Sequence, residues 1–279
     1  MLPAVKELID QQRLTNAREH LTRCMLCEHR CGVDRANGQR GPCKAGPTAR
    51  LFRHRVEYGE ELELVPSHLF YLSGCDLRCV FCIAGLNAFD PTRGVDLTPA
   101  RFSEAVAWGK TQGARNIQWV GGEPTIHIPA ILQVMADCPD LPPVVWKSDF
   151  YGTPEAFDLL NGVADVYVAD FKFGNDQCAK RLAGVDDYVR IVRRNLAIVA
   201  GRGRLIVRHL LLPGHEDCCY KLIASWMREQ LPDVPLSLRD SYMPSWRSRN
   251  YADLAEPLPS QAGRTARAFA RDIGLKVVQ

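Results

Sequence analysis

The sequence predicts an α/β protein: a partial, open (β/α)6 barrel preceded by a small N-terminal cysteine-rich metal-binding segment. Three observations carry this. From residue 66 onward, short apolar strands alternate with helical segments, and strands apolar on both faces belong to a parallel sheet covered by helices. Six such units are too few to close an eight-unit barrel. Four of the eleven cysteines fall between residues 24 and 43, in a stretch rich in Gly and Arg that lacks periodicity and that a metal, rather than a core, would order. The chain is accordingly read as residues 1–64, an N-terminal helix with the four-cysteine segment, and residues 65–279, the barrel.

Each element has its own signal. Residues 3–22 form an amphipathic helix, with Val5, Leu8, Ile9 and Leu21 on its apolar side. Strands are expected at 68–73, 116–120, 143–147, 165–171, 204–211 and 236–242, and helices at 98–112, 128–137, 153–162, 186–200, 217–230 and about 260–273. Thr98-Pro99 and Thr153-Pro154 open two of these helices, since Thr accepts from an orphan backbone donor and Pro suits the first turn.

Composition excludes several classes. Thirty-five Lys and Arg against 32 Asp and Glu leave a formal charge of +3, too balanced to argue for nucleic acid or a membrane surface. No apolar run reaches the ~18 residues of a membrane span. Lys6, Glu7 and Asp10 interrupt the N-terminus where an export signal needs an apolar stretch, so a cytoplasmic location is expected. In a reducing compartment, eleven thiols point to metal ligation or redox work rather than to disulfides.

Ligands of such folds bind at the carboxyl ends of the strands, and the unusual residues fall there. Cys75, Cys79 and Cys82 follow the first strand, and Gly121, Gly122, Glu123 and Pro124 the second. Ser148 and Asp149 follow the third, Asp170 and Lys172 the fourth, and Arg208 lies in the fifth. Three thiolates spaced C-x3-C-x2-C can ligate three irons of a cubane and leave the fourth open to another ligand. Cys24, Cys27, Cys31 and Cys43 make a second set, able to hold zinc or an iron–sulfur cluster. Arg23, Arg30, Arg35 and Arg40 are available to offset its charge. Cys138, Cys178, Cys218 and Cys219 lack metal-type spacing and read as small buried hydrophobes, the adjacent pair Cys218-Cys219 being the exception to watch. His209 reads as a packed core histidine, and His127 as either an adenine contact or a cap.

The stretch GCDLRCVFC with GGEP resembles the radical S-adenosylmethionine (SAM) superfamily over residues 66 to about 245. The resemblance implies a radical SAM barrel and a [4Fe–4S] cluster on Cys75, Cys79 and Cys82 whose unique iron chelates SAM. An electron from that cluster would cleave SAM to methionine and a 5′-deoxyadenosyl radical for hydrogen abstraction. Gly121, Gly122, Glu123 and Pro124 would bind the SAM amino group. SDFYG (148–152), DFK (170–172) and VRHLLLPG (207–214) are most similar to the activases of glycyl radical enzymes. That likeness places Asp149 and Asp170 by the SAM carboxylate, with room for a monovalent cation, has Lys172 and Arg208 neutralise or orient that end, and counts Ser148 among the cofactor-binding residues. It implies an electron donor such as a flavodoxin or ferredoxin, and a protein or peptide substrate. The alternatives are a small metabolite as substrate, or a zinc-ribbon adaptor on an idle barrel. The four-cysteine segment departs from typical activases. No catalytic side chain beyond these ligands is assigned.

Overall fold

Thr98 and Thr153 each accept a hydrogen bond from the backbone N–H three residues on, opening helices at Pro99 and Pro154 as the Thr-Pro pairs predict. The computed structural model describes residues 8–59 and 61–278. Strand β1 is Arg50–Glu57, β2 Ser67–Leu72, β3 Val95–Asp96, β4 Asn116–Gly121 and β5 Val144–Ser148. They are followed by β6 Val166–Asp170, β7 Arg204–Leu210, β8 Leu236–Arg239 and β9 Val277–Val278. All nine lie in one sheet of order β3-β1-β2-β4-β5-β6-β7-β8-β9. The run from β2 to β9 is parallel throughout. The sheet ends at β3 on one side and β9 on the other, so the barrel is partial, with six principal parallel strands in the expected places.

The helices are α1 Gln11–Thr22, α2 Leu86–Phe89, α3 Pro99–Thr111, α4 Ile128–Ala136, α5 Pro154–Leu159, α6 Asp176–Ala183, α7 Tyr188–Ala200, α8 Lys221–Gln230 and α9 Ala262–Asp272. They bury their apolar faces on the strands; Trp119 of β4 stacks on Phe102 of α3 at 5.2 Å. No helix among the described residues is long and apolar enough to cross a membrane.

The first helix differs from the expected 3–22. Asp10 is an N-cap whose carboxylate accepts from Arg13 N at 2.7 Å, so α1 starts at Gln11. Val5 and the rest of residues 1–7 lie outside the described residues. The expected helix 186–200 is preceded by a separate one, α6, capped by Asn175 and ended at left-handed Gly184. Strand β1 has no counterpart among the sequence signals. It pairs antiparallel with both β2 and β3, and its Arg53, His54 and Arg55 are exposed, the two arginines at the mouth of the barrel cavity. A half-solvated antiparallel strand does not show the continuous apolar run of a buried parallel one.

Candidate active site and cysteine clusters

The carboxyl ends of β2, β4, β5, β6, β7 and β8 open into one cavity of about 440 Å³. Cys75, Cys79, Cys82, Gly121, Gly122, Glu123, Ser148, Asp149, Asp170, Lys172 and Arg208 all line it. Pro124 does not; it leads into the turn Thr125–His127 behind Glu123.

The cysteine loop is pinned from below, where Arg78 N and Val80 N donate to the carbonyls of Ala183 and Leu182 in α6. Glycines 121 and 122, which line the cavity, are required by backbone packing. A Cβ on Gly121, at φ +114°, would lie 2.2 Å from Leu72 N, and one on Gly122 would lie 1.7 Å from Gly74 O. Only glycine lets β4 turn this tightly against the loop that carries Cys75.

Glu123 is buried and holds two loops together. Its Oε1 accepts from Thr125 N and Ser148 Oγ, both at 2.8 Å, and its Oε2 accepts from Asp149 N at 2.9 Å. Three of the roughly four acceptor positions of a carboxylate are thus used by protein donors. The next turn is strained: Phe150 is fully buried with φ +59°, a conformation costly for a bulky residue. Asn195 Nδ2 sustains it by donating to Phe150 O at 2.8 Å and to Gly152 O at 2.7 Å.

The cavity is electrically polarised. Next to Cys75 lie three buried carboxyls, Asp76, Glu123 and Asp149. Burial, then Glu123, pushes Asp76 up to about 7; burial, then Asp149, pushes Glu123 up to about 8. Asp149 is also held well above its usual range, by burial and then Asp76. Asp76 and Asp149 face each other, and their Oδ2 atoms meet no N–H or hydroxyl donor among the described residues. Further along, Asp170 bonds Lys172 Nζ at 2.8 Å and Arg208 Nη1 at 3.5 Å. Burial opposes ionisation of Asp170, but Lys172, Arg208 and Lys147 outweigh it and hold its carboxyl below the ordinary range. Beneath them Glu61, fully buried, sits 3.6 Å from Lys147, 3.6 Å from Arg208 and 2.8 Å from Arg239.

A family model described as the radical SAM superfamily matches residues 69–227. The Methanocaldococcus jannaschii protein designated "Uncharacterized protein MJ0674" is 33% identical over 286 residues, spanning 99% of this chain and 82% of its own. The chain belongs to the radical SAM superfamily. Among solved structures, Streptococcus suis SuiB bound to precursor peptide SuiA aligns over 74% of this chain and 46% of its own, with 13% identity and a TM-score of 0.53. The present chain therefore spans less than half of SuiB. TYW1 with a lysine-pyruvate adduct bound aligns over 73% of each chain, with 13% identity and a TM-score of 0.50.

Radical SAM membership implies a [4Fe–4S] cluster and SAM, and the residues present fit both. Three cysteines of one loop face the cavity, and beside Cys75 the buried carboxyls of Asp76 and Asp149 crowd together within 4.8 Å, with no cationic side chain among the described residues bonded to them. Buried carboxyls crowded in this way ionise together only beside a cation, which the ammonium and sulfonium of SAM provide.

Asp76 and Glu61 are site residues that sequence reasoning missed. Asp76 stands in the open between two cysteines of the motif, but only burial makes it notable. His209 is the packed histidine expected, donating from Nδ1 to Phe171 O (2.7 Å) and stacking on Tyr220. His127 stands at the N-cap position of α4. Buried outside the cavity, it meets Ser73 O through Nε2 at 2.7 Å, and its side chain makes no cap.

The four N-terminal cysteines lie apart from the cavity, with Cys24, Cys27 and Cys43 buried and Cys31 partly so. Of the four arginines expected around them, Arg35 reaches a sulfur: it is buried, with Nη2 3.6 Å from Cys43 Sγ and Nη1 2.7 Å from Ile126 O. Arg30 instead pairs with Glu28. Among the described residues, two sets of Cys, His or carboxylate atoms gather within 4.8 Å of one another. One is Cys75, Asp76 and Asp149; the other is Cys178, His215, Cys218 and Cys219. No three of the N-terminal cysteines form such a set. Cys138 is a core residue as expected, whereas Cys178 and Cys218 are only half-buried and converge on His215 with Cys219. Sequence carried a trace of this in His215-x2-Cys218-Cys219, but the fourth member lies 37 residues from His215.

Proposed function

We propose that this protein is a cytoplasmic radical SAM enzyme that abstracts hydrogen from a polypeptide, in the manner of a glycyl-radical-enzyme activase. In this reading Cys75, Cys79 and Cys82 hold the cluster. Glu123, Ser148 and Asp149, backed by Asp76, take the ammonium end of SAM, while Lys172 and Arg208 take the SAM carboxylate beside Asp170. Asp149 is bonded through its backbone N–H to Glu123 rather than to the carboxylate-end residues, where the resemblance would put it. When bound and reduced, the cluster supplies the electron that splits SAM into methionine and a 5′-deoxyadenosyl radical. A flavodoxin- or ferredoxin-type donor would replenish that electron. The observation that carries the reading is the convergence of three cysteines and the buried carboxyls of Glu123 and Asp149 on one cavity, with Asp76 buried just behind them. Cys24, Cys27, Cys31 and Cys43 hold a second centre. Their wider spacing favours an iron–sulfur cluster, whose thiolates bind separate irons, over a single zinc ion.

The cavity rim supports a polypeptide over a small metabolite. Ile83 and Met243 line the cavity and are 87% and 62% exposed, and Leu86 and Trp246 nearby are also exposed. An apolar rim around a polar interior suits a partner that covers it. The segment SWRSRNY, residues 245–251, lies against the cysteine loop, with Arg247 N donating to Val80 O and Trp246 packing on Phe89.

Two results test these assignments. Glu123→Gln and Asp149→Asn are expected to weaken SAM binding about ten- to a hundredfold, the cost of one charge-assisted hydrogen bond at about 1.5–3 kcal/mol. Iron content should stay at the parent level, because neither side chain is a proposed iron ligand. Unchanged SAM affinity in both variants would remove the assignment. For the substrate, reduced enzyme and SAM are incubated with a lysate from deuterium-grown cells, separated by size. A C–D bond breaks in the substrate and a C–D bond forms in 5′-deoxyadenosine, so deuterium is expected there with the macromolecular fraction. Deuterium transfer from the low-molecular-weight fraction alone would replace the activase reading with a metabolic one.

A further inference from the structure

From Cys178, His215, Cys218 and Cys219 we infer a third metal centre, a tetrahedral Cys3His zinc site that ties together the loops after β6 and β7. The distances carry it. Cys178 Sγ lies 3.8 Å from Cys218 Sγ. His215 Nδ1 lies 3.4 Å from Cys178 Sγ, 3.3 Å from Cys218 Sγ and 3.9 Å from Cys219 Sγ. Zinc with Zn–S near 2.3 Å and Zn–N near 2.05 Å in a tetrahedron sets its ligands about 3.8 Å apart for S···S and about 3.6 Å for S···N. The same sulfurs are too close for a cubane, whose thiolates attach to different irons.

The chemistry around the four atoms agrees. His215 Nε2 meets Asp253 Oδ2 at 2.9 Å, closer than Arg181 Nη2 at 3.1 Å; donation to the carboxylate is the pairing that leaves Nδ1 as the metal-facing nitrogen. Arg181 also holds that carboxylate, with Nη1 3.1 Å from Asp253 Oδ1. Asn175 Nδ2 donates toward Cys178 Sγ at 3.2 Å and Cys219 Sγ at 3.8 Å, contacts that suit thiolate acceptors. Without a metal, the one lone pair on His215 Nδ1 would face three thiols, of which it could accept from one.

The backbone is shaped for the site. Residues Glu216–Tyr220 form a π-helical turn, with Tyr220 N reaching back to His215 O at 3.2 Å. Such wide turns are rare and recur at functional sites; this one presents two adjacent cysteines to the same histidine. On the facing loop, a Cβ at Gly174 would lie 2.4 Å from Cys219 O, so glycine permits the close approach. The centre would thus clamp the segment that leaves Lys172 against the loop after β7. Through Asp253 it also reaches the turn Ala252–Leu254.

Zinc and iron are measured in the anaerobically purified full-length protein. Cys178→Ser and Cys218→Ser are each expected to lose one zinc per chain relative to the parent, whatever the parent total, with iron unchanged. Because a serine variant could fold poorly, the parent protein is also alkylated with and without a zinc chelator. Cys178 and Cys218 should be protected at first, then react at least tenfold faster once zinc is stripped. Asp253→Asn should weaken zinc retention against a competing chelator about ten- to a hundredfold. Equal zinc in parent and both serine variants would overturn the site. So would recovery of a Cys178–Cys218 disulfide from anaerobic protein, or alkylation indifferent to the chelator. None of these outcomes depends on SAM cleavage, so the site and the radical reading fail separately.

Discussion

Alanine at any one of Cys75, Cys79 or Cys82 is expected to eliminate 5′-deoxyadenosine production from SAM under reducing conditions. Three thiolates are the fewest that hold a cubane while leaving one iron for SAM, and no other cysteine lines the cavity. The loop has no slack with which to recruit a substitute, since Arg78 and Val80 are hydrogen-bonded to the end of α6 and Cys82 N donates to Cys79 O at 3.2 Å. Burial, and then Asp149, holds the Cys75 thiol well above its ordinary range, so it ionises in place only when metal takes up the sulfur. Liquid chromatography with mass spectrometry reads the product directly. Cys138→Ala, buried in the core away from the cavity, serves as the control and should cleave SAM at close to the parent rate. Product formed by Cys75→Ala at that same rate would end the cluster assignment.

Glu61→Gln should destabilise the fold by about 3–5 kcal/mol, the usual cost of stripping one partner from a buried ion cluster. The carboxylate faces Lys147, Arg208 and Arg239 and accepts from Ser237 Oγ at 3.1 Å. A neutral amide would leave those three cations repelling one another inside the barrel. Denaturant unfolding of parent and variant measures the difference, and a loss below about 1 kcal/mol would show the cluster to be solvated or self-compensating. The pH dependence follows the same group. Burial works against ionisation, yet Lys147, Arg208 and Arg239 hold Glu61 down to about 2, against about 4.3 in an unfolded chain. Its folded pKa is depressed, so its contribution is fully present above about 4.3 and lost as pH falls toward about 2. The parent should lose stability through that window more steeply than Glu61→Gln.

The barrel was readable because its signals are local. Apolar strands buried on both faces and Thr-Pro helix starts need no knowledge of what packs where, and the six parallel strands stand within a few residues of their expected positions. The C-x3-C-x2-C loop and Gly121-Gly122-Glu123 were readable for the same reason. What escaped depends on distance in space. Strand β1, with three consecutive exposed residues, is legible as a strand only once β2 and β3 flank it. Glu61 looks like any surface acid until the chain turns it under Arg208. Cys178 and His215 stand 37 residues apart and meet only because two loops on the same rim converge. The paired glycines were obvious as residues, but their close fit against the backbone of Leu72 and Gly74 shows only in three dimensions.

The N-terminal segment has a consequence for how this enzyme could diversify. It is laid against two of the loops at the carboxyl end of the sheet: Cys27 bridges Gly152, Glu28 N donates to Tyr151 O, and Arg35 reaches Ile126 O. Barrel enzymes ordinarily acquire new substrates by lengthening or rewriting such loops at little cost to the scaffold. Here any insertion after β4 or β5 would have to displace the segment that carries Cys24 to Cys43. Evolutionary freedom is therefore left to the apolar rim around Ile83 and Met243, so relatives with altered specificity should vary there while their 120–128 and 148–153 stretches keep a fixed length.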